Sequence, residues 1–278
     1  MIIHKKSLKE ILKEGIDESG TPDMKYYAFD WDDNIVTMPT KIILKDEDGD
    51  EVGMSTEDFA EYRTEVGKEP FEYQGHTIVG FAELPFRNFT TTGDKDFIVD
   101  AMLAKTGPAW ADFVEAINNG SIFSIVTARG HTPSVLKEAC YNYIATNFNG
   151  IDSDELVKNL EKYRHLGDEE PLSKRELIKE YLDLCKFYPV TFGEGSATNP
   201  EEGKIKALNE FVNYVREVSS SLQKKAFLKN KISNKFIPTI GFSDDDIRNV
   251  ETVKKHFGDK PDNIIKTYLT AGGSKKPY

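Results

Sequence analysis

The sequence predicts an α/β fold: a parallel sheet covered by helices, with a β-hairpin flap and an inserted cap-like subdomain set into it. Three observations predict it. Short apolar runs rich in β-branched and aromatic residues alternate with segments of helical period over most of the 278 residues. Acids, a hydroxyl and a lysine gather where the apolar runs stop, as they do at the ligand-binding edge of an open parallel sheet. The alternation is interrupted twice between Lys41 and Gly107, first by a hairpin-like run and then by an irregular aromatic stretch that marks an insertion.

The elements follow in order. MIIHKKSLKEILKEG mixes charges with aliphatics like a short amphipathic helix, and residues 1–23 are read as a helical extension. MKYYAFD (24–30) is the first strand. KIILKDEDGDEVGMS (41–55) is two extended runs around an Asp48-Gly49 turn, the signal for a hairpin flap. Its glycine falls at the fourth position of the acidic run rather than the sixth, which excludes an EF-hand calcium loop. Residues 56–107, centred on EPFEYQGHTIVGFAELPFRNF, are too long and too apolar for a loop and form the inserted subdomain. PAWADFVEAINNG (108–120) is a helix capped by Gly120, and SIFSIVT (121–127) is the second strand. HTPSVLKEACYNYIATNF and a polar stretch from Asp152 to about Leu184 are helical. KFYPVTF (186–192) is the third strand, KIKALNEFVNYVREV (204–218) a helix, FIPTIGFS (236–243) the fourth strand, DIRNVETVKKHF a helix and NIIKTYLT (263–270) the fifth strand. This order yields a Rossmann-like sheet with its core in residues 24–55 and 108–270, and AGGSKKPY (271–278) is read as a flexible tail.

Composition narrows the function. A net charge of −11 disfavours a broad nucleic-acid surface, because phosphate backbones repel an acidic protein. The acid-free stretch holding Lys224, Lys225, Lys229, Lys231 and Lys235 leaves a nucleic-acid end as a minor possibility and reads first as a solvated connector. No apolar stretch approaches the roughly 18 residues of a membrane span. The N-terminus lacks the apolar core of a signal peptide, and Cys140 and Cys185 form no CxxC pair. The expectation is a cytoplasmic protein with structural thiols and no membrane contact, of unspecified oligomeric state.

Four strand ends carry the polar residues: Asp30-Trp31-Asp32-Asp33-Asn34, Thr127-Ala128-Arg129-Gly130, the loop that delivers Lys204, and Ser243-Asp244-Asp245-Asp246. Each alone is also a reasonable helix cap. Together the two acidic clusters repel each other unless a cation neutralises them. An all-carboxylate set without His or Cys suits a hard divalent ion, Mg²⁺ above all.

FDWDDNI (29–35) resembles the first motif of the haloacid dehalogenase (HAD)-like superfamily, the aspartate-nucleophile phosphatases and phosphotransferases, in which an apolar strand ends in DxDx(T/V). FSIVTARG (123–130) is similar to the second motif, Lys204 to the third, and GFSDDDIRN (241–249) to the fourth. The resemblance spans residues 24–270. It implies a Mg²⁺-dependent phosphohydrolase acting on a small phosphorylated substrate, with Asp30 as nucleophile and Asp32 as general acid and base. It also implies phosphate binding by Thr127 and Lys204, and metal binding by Asp30, Asp32 (through its carbonyl) and Asp244 or Asp245. Arg129 is close enough to the rim to touch phosphate. His76, Phe86 and Arg87 would approach the site if the insertion folds over it, whereas His131 reads as a residue at a helix start. Asp33 and Asn34 depart from the pattern, which usually has a small residue and then Thr or Val. They keep open the alternative of a catalytically weak or inactive binding or structural protein with the same fold.

Overall fold

In the computed structural model, β1 (Asp23–Phe29) is the middle of a six-stranded sheet, and it is buried on both faces because its side chains alternate between two cores. Tyr27 and Phe29 pack to one side, Tyr26 and Ala28 to the other. Residues 23–164, 170–192, 199–228 and 237–278 are described. The remaining elements are β2 (Val36–Thr37), β3 (Ile42–Asp46), β4 (Glu51–Met54), α1 (Thr56–Tyr62), β5 (Phe71–Tyr73), β6 (His76–Phe81), α2 (Asp94–Leu103), β7 (Lys105–Thr106), α3 (Trp110–Asn118), β8 (Phe123–Thr127), α4 (Pro133–Ala145), α5 (Ser153–Arg164), α6 (Lys174–Leu184), β9 (Lys186–Pro189), α7 (Pro200–Leu228), β10 (Ile237–Asp244), α8 (Ile247–Phe257), β11 (Ile265–Leu269) and β12 (Lys276–Pro277).

The chain is a mixed α/β protein with a parallel-rich main sheet. Its order is β12-β11-β10-β1-β8-β9, parallel throughout except for β12, and it reverses direction of growth at β1. Phe123 and Ile125 of β8 join Phe29 in a core with Trp110 and Phe113 of α3, Leu136 and Tyr143 of α4, and Tyr181 of α6. On the opposite face Tyr26, Val126, Ile240 and Phe242 meet Leu208, Phe211 and Val215 of α7 and Val253 and Phe257 of α8. Each fully buried aromatic or branched side chain contributes roughly 1.5–3 kcal/mol, so both helical layers are needed to hold a two-faced sheet.

The expected strands and helices lie where the sequence puts them, with adjusted ends. The polar helical stretch 152–184 divides into α5 and α6, and α7 runs well past residue 218 to Leu228. Cys140 and Cys185 are buried free thiols. No helix among the described residues is long and apolar enough to cross a membrane.

Three boundaries change. The hairpin β3–β4 does not stand alone: β3 pairs with β6, and the two hairpins form one antiparallel sheet in the order β4-β3-β6-β5. This sheet has its own apolar cluster of Ile42, Leu44, Met54, Tyr73 and Ile78. The inserted unit therefore begins at the hairpin rather than at residue 56. It also ends before 107, because Phe97 and Ala101 of α2 lie in the core beside Trp31, and β7 pairs with β2 at the insertion's base. Residues 271–278 are not a flexible tail; β12 extends the sheet, with the Tyr278 N–H donating to Thr267 O at 2.9 Å. The helical extension expected over 1–23 falls almost wholly outside the described residues, as do the side chains of the lysine-rich stretch 224–235.

Candidate active site

The loop after β1 is a tight turn. Trp31 O accepts from Val36 N at 3.2 Å, and Asp33 N donates to Val36 O at 2.8 Å. Asp33 takes a left-handed φ of 52°, a conformation that Asp and Asn tolerate better than most residues. Its carboxyl is raised by burial. Trp31 is fully buried, stacked on Tyr143 at 6.0 Å and beside Phe97 at 5.4 Å, which anchors the turn to the core.

Asn34 explains why an amide occupies its position. Its Nδ2 donates to Asp30 O (3.0 Å), Ser243 O (3.1 Å) and Ser243 Oγ (3.1 Å), and its Oδ1 accepts from Thr270 Oγ1 (2.9 Å). One buried side chain thus ties together the ends of β1, β10 and β11. Threonine or valine lacks the amide donor for these carbonyls. From below, Asn34 O accepts from Ala109 N and Ile35 O from Gly107 N. A Cβ on Gly107 would lie 2.5 Å from Asn34 O, so this close approach requires glycine.

The turn presents Asp30 to Lys204 and the β10 acids. Lys204 Nζ lies 2.7 Å from Asp244 Oδ2 and 3.2 Å from Asp30 Oδ2, with all three residues buried. Asp244 Oδ1 also accepts from Asn249 Nδ2 and Asp246 N, both at 3.0 Å. Asp30, Asp244 and Asp245 can each direct a carboxylate oxygen into one group whose members lie within 4.8 Å of one another. One ammonium faces three carboxylates, and Asp244 takes its closest contact. Burial raises Asp30 to about 8, against the pull of Lys204, and Asp244 and Asp32 add to the rise. Asp245 is raised to about 9 by burial, then by Asp244 and Asp30. Lys204 is pushed up by Asp244 and Asp30 in spite of its burial. Asp30 Oδ1 is buried without a hydrogen-bond partner, and an orphaned carboxylate oxygen in an anionic cluster fits a hard cation. Such a triad of carboxylates could hold an oxygen-loving cation and is not specific to Mg²⁺.

The sequence-predicted residues sort into two groups. Asp30, Lys204, Asp244 and Asp245 converge, and Thr127 lies at the same edge, at the end of the strand beside β1. Asp246 is a helix cap instead: its side chain accepts from Arg248 N. The side chain of Asp32 is outside the acidic triad, and is held bidentately by Arg129 through Nε–Oδ2 and Nη2–Oδ1, both at 2.8 Å. Arg129 is therefore found on a carboxylate rather than poised in an open anion site. It is buried, with its guanidinium 4.5 Å from the Phe89 ring centroid and 5.1 Å from that of Phe97. Nη1 lies 3.2 Å from His131 Nε2, and His131 Nδ1 lies 2.9 Å from Asp94 Oδ1. His76 pairs with Asp46, Arg87 with Glu51, and Phe86 joins an aromatic group with Phe59, Phe81 and Phe89, all within the inserted unit.

Comparison with protein-family models, curated proteins and solved structures finds no match, so the chemistry of the site rests on its own residues. Those residues provide a buried carboxylate with a free oxygen, a fixed ammonium, an acidic set that could hold a cation and a second carboxylate clamped by arginine. Sequence reasoning missed Asp94, Phe89 and Phe97. The only signal for them was their place in the return limb of the insertion.

Proposed function

We propose that the chain is a Mg²⁺-dependent phosphohydrolase, a cytoplasmic HAD-like phosphatase with a Rossmann-like core, acting on a small phosphorylated substrate. A nucleotide or polynucleotide end is the less favoured form of that substrate. The observation that carries the reading is the orphaned, buried Oδ1 of Asp30, on a carboxyl whose other oxygen lies 3.2 Å from Lys204 and which groups with Asp244 and Asp245 at the edge where the strand order reverses.

In this reading an Asp30 carboxylate oxygen attacks phosphorus while the bond to the leaving oxygen breaks, giving an aspartyl-phosphate. Asp32 gives a proton to the leaving oxygen, then takes one from the water that releases inorganic phosphate and restores Asp30. Such acid and base work is typically worth ~10²–10⁴-fold. Lys204 holds positive charge beside the attacking carboxylate, and the Thr127 hydroxyl donates to a phosphoryl oxygen. Asp30, Asp244 or Asp245 and the Asp32 carbonyl would hold a divalent cation, which would supply positive charge to offset the repulsion between the Asp30 carboxylate and a dianion. The antiparallel inserted unit restricts access from one side, as a cap.

The test is Mg²⁺-dependent hydrolysis of an aryl phosphate by the wild type and by Asp30→Asn. The wild type is expected to turn over and the variant to lose activity; equal rates sink the assignment. A second reading, a weak or inactive binding protein of the same fold, is favoured by one observation: both Asp32 oxygens are engaged by Arg129. It predicts cation binding without turnover of any phosphate ester.

A further inference from the structure

The proposed chemistry needs Asp32 at a fixed place, and the turn alone does not fix it. Asp32 follows the buried Trp31 and precedes a left-handed residue, and its side chain is 18% exposed. A short carboxylate at such a position has several rotamers available. What holds it comes from elsewhere in the chain. Arg129 spends Nε and Nη2 on the two Asp32 oxygens, the two-pronged geometry that only guanidinium provides. Arg129 is in turn over-determined. The Phe89 and Phe97 rings lie against its guanidinium, and Nη1 meets His131 Nε2. Arginine only donates, so His131 accepts at Nε2 and carries its proton on Nδ1, where it donates to Asp94 Oδ1. Thr132 Oγ1 donates to the other Asp94 oxygen at 3.2 Å. The His131 ring also sits 4.5 Å from Phe97. Burial lowers the His131 pKa, in keeping with a neutral, one-tautomer ring.

Phe89, Asp94 and Phe97 all belong to the segment in which the chain returns from the inserted sheet to the core. That segment is fastened to the Arg129 loop, since Gly130 N donates to Phe89 O at 2.7 Å and Thr90 bridges to Gly130. We propose that Arg129, oriented by the Asp94–His131 pair and by Phe89 and Phe97, is a positioning residue that fixes Asp32 for proton transfer to the leaving oxygen. This rests on the reading of Asp32 as the acid and base of a phosphohydrolase. In the step concerned, the proton moves from the Asp32 carboxyl to the departing oxygen as its bond to phosphorus breaks, and the carboxylate that remains is received by two Arg129 N–H groups. The role differs from phosphate binding, because the guanidinium's contacts are with Asp32, His131 and two aromatic rings, and its side chain is 1% exposed.

A proton donor matters for a poor leaving group and little for a good one, whereas folding defects and phosphate-binding defects affect both. We would measure kcat/KM with Mg²⁺ for p-nitrophenyl phosphate and for glycerol 2-phosphate, together with inhibition by inorganic phosphate. The proteins are the wild type, Asp30→Asn, Asp32→Asn, Arg129→Lys and Asp94→Ala. Asp32→Asn should lower the alkyl-ester value by ~10²–10⁴-fold, the range for general acid catalysis, and the aryl-ester value far less. Arg129→Lys keeps the charge and loses the fork, and should reproduce at least ~10-fold of that selective loss. Asp94→Ala should shift the ratio the same way by less, and phosphate inhibition should stay at the wild-type level in both. Equal losses on the two esters, or phosphate inhibition weakened in step with activity, would overturn the positioning role. If Arg129→Lys does not fold, the partly exposed Asp94 decides the matter through Asp94→Ala. Wild-type inactivity, or full activity in Asp30→Asn, refutes the phosphohydrolase reading itself. Loss in Asp30→Asn without a selective loss in Arg129→Lys and Asp94→Ala refutes this inference alone.

Discussion

Replacing Asn34 by alanine removes one side chain and three strand-end attachments. Its two amide protons serve Asp30 O and the Ser243 carbonyl and hydroxyl, and its oxygen serves the Thr270 hydroxyl, all at 2.9–3.1 Å and fully buried. Two amide protons, one of them shared, and one oxygen amount to about three full bonds, so at about 1 kcal/mol net each the loss is about 3 kcal/mol, and any buried group left without a partner adds roughly 1–3 kcal/mol. Ser243 O keeps its bond from Asp30 N, which limits that addition. Asn34→Ala should therefore lose about 3–4 kcal/mol, above the common range for point substitutions. Urea denaturation followed by far-ultraviolet circular dichroism measures it, with Asn34→Asp as the companion. The aspartate keeps an acceptor for Thr270 but turns an acceptor toward two carbonyls, so it should be at least as damaging at neutral pH. A loss below about 1 kcal/mol for Asn34→Ala would mean that water replaces the amide. The account of residue 34 as a staple between strands would then be wrong.

Two further outcomes follow from the site. The carboxyls of Asp30 and Asp245 are raised to about 8 and about 9, and each must lose its proton to ligate a cation. Calorimetric Mg²⁺ affinity should therefore climb between about pH 6 and about pH 9, with protons released on binding, and a pH-independent affinity would exclude these two as ligands. Gly107→Ala places a Cβ 2.5 Å from Asn34 O and 2.9 Å from its carbonyl carbon. It should cost about 1–3 kcal/mol in a melting experiment, as overpacking does, and an unchanged midpoint would show that the 107–109 segment yields freely.

The core was legible because its elements carry long, periodic signals. A strand buried on both faces reads as a continuous apolar run, and FSIVT could hardly be anything else. The convergence of Asp30, Lys204 and the β10 acids followed from the rule that parallel sheets gather their polar ends at one edge. What escaped was whatever depends on direction rather than position. Asp32 and Arg129 lie 97 residues apart, and nothing local says that their side chains meet. Asp33 and Asn34 looked like departures from a pattern, yet one relieves a tight turn and the other bonds three strand ends. The inserted unit misled through its boundaries: hairpin and insertion read as two features until β3 paired with β6. Its return helix α2 looked like more insertion because a ten-residue segment with weak one-sided patterning does not reveal which core it will join.

The inserted unit leaves and re-enters the core through one doorway, where Val36 and Thr37 of β2 pair with Thr106 and Lys105 of β7. A module whose two ends meet can be lengthened, trimmed or exchanged over generations without redrawing the sheet beneath it. Here the segment that leads from the inserted sheet back to β7 also walls in Arg129, with Phe89 and Phe97 on its guanidinium and Asp94 on its histidine. An exchange that stopped at Asn88 would replace the inserted sheet alone, whereas one that ran on to Leu103 would also rebuild the surroundings of Asp32. On the proposed reading, inheritance could retune access and proton transfer separately, by where along a few residues the old module gives way to the new.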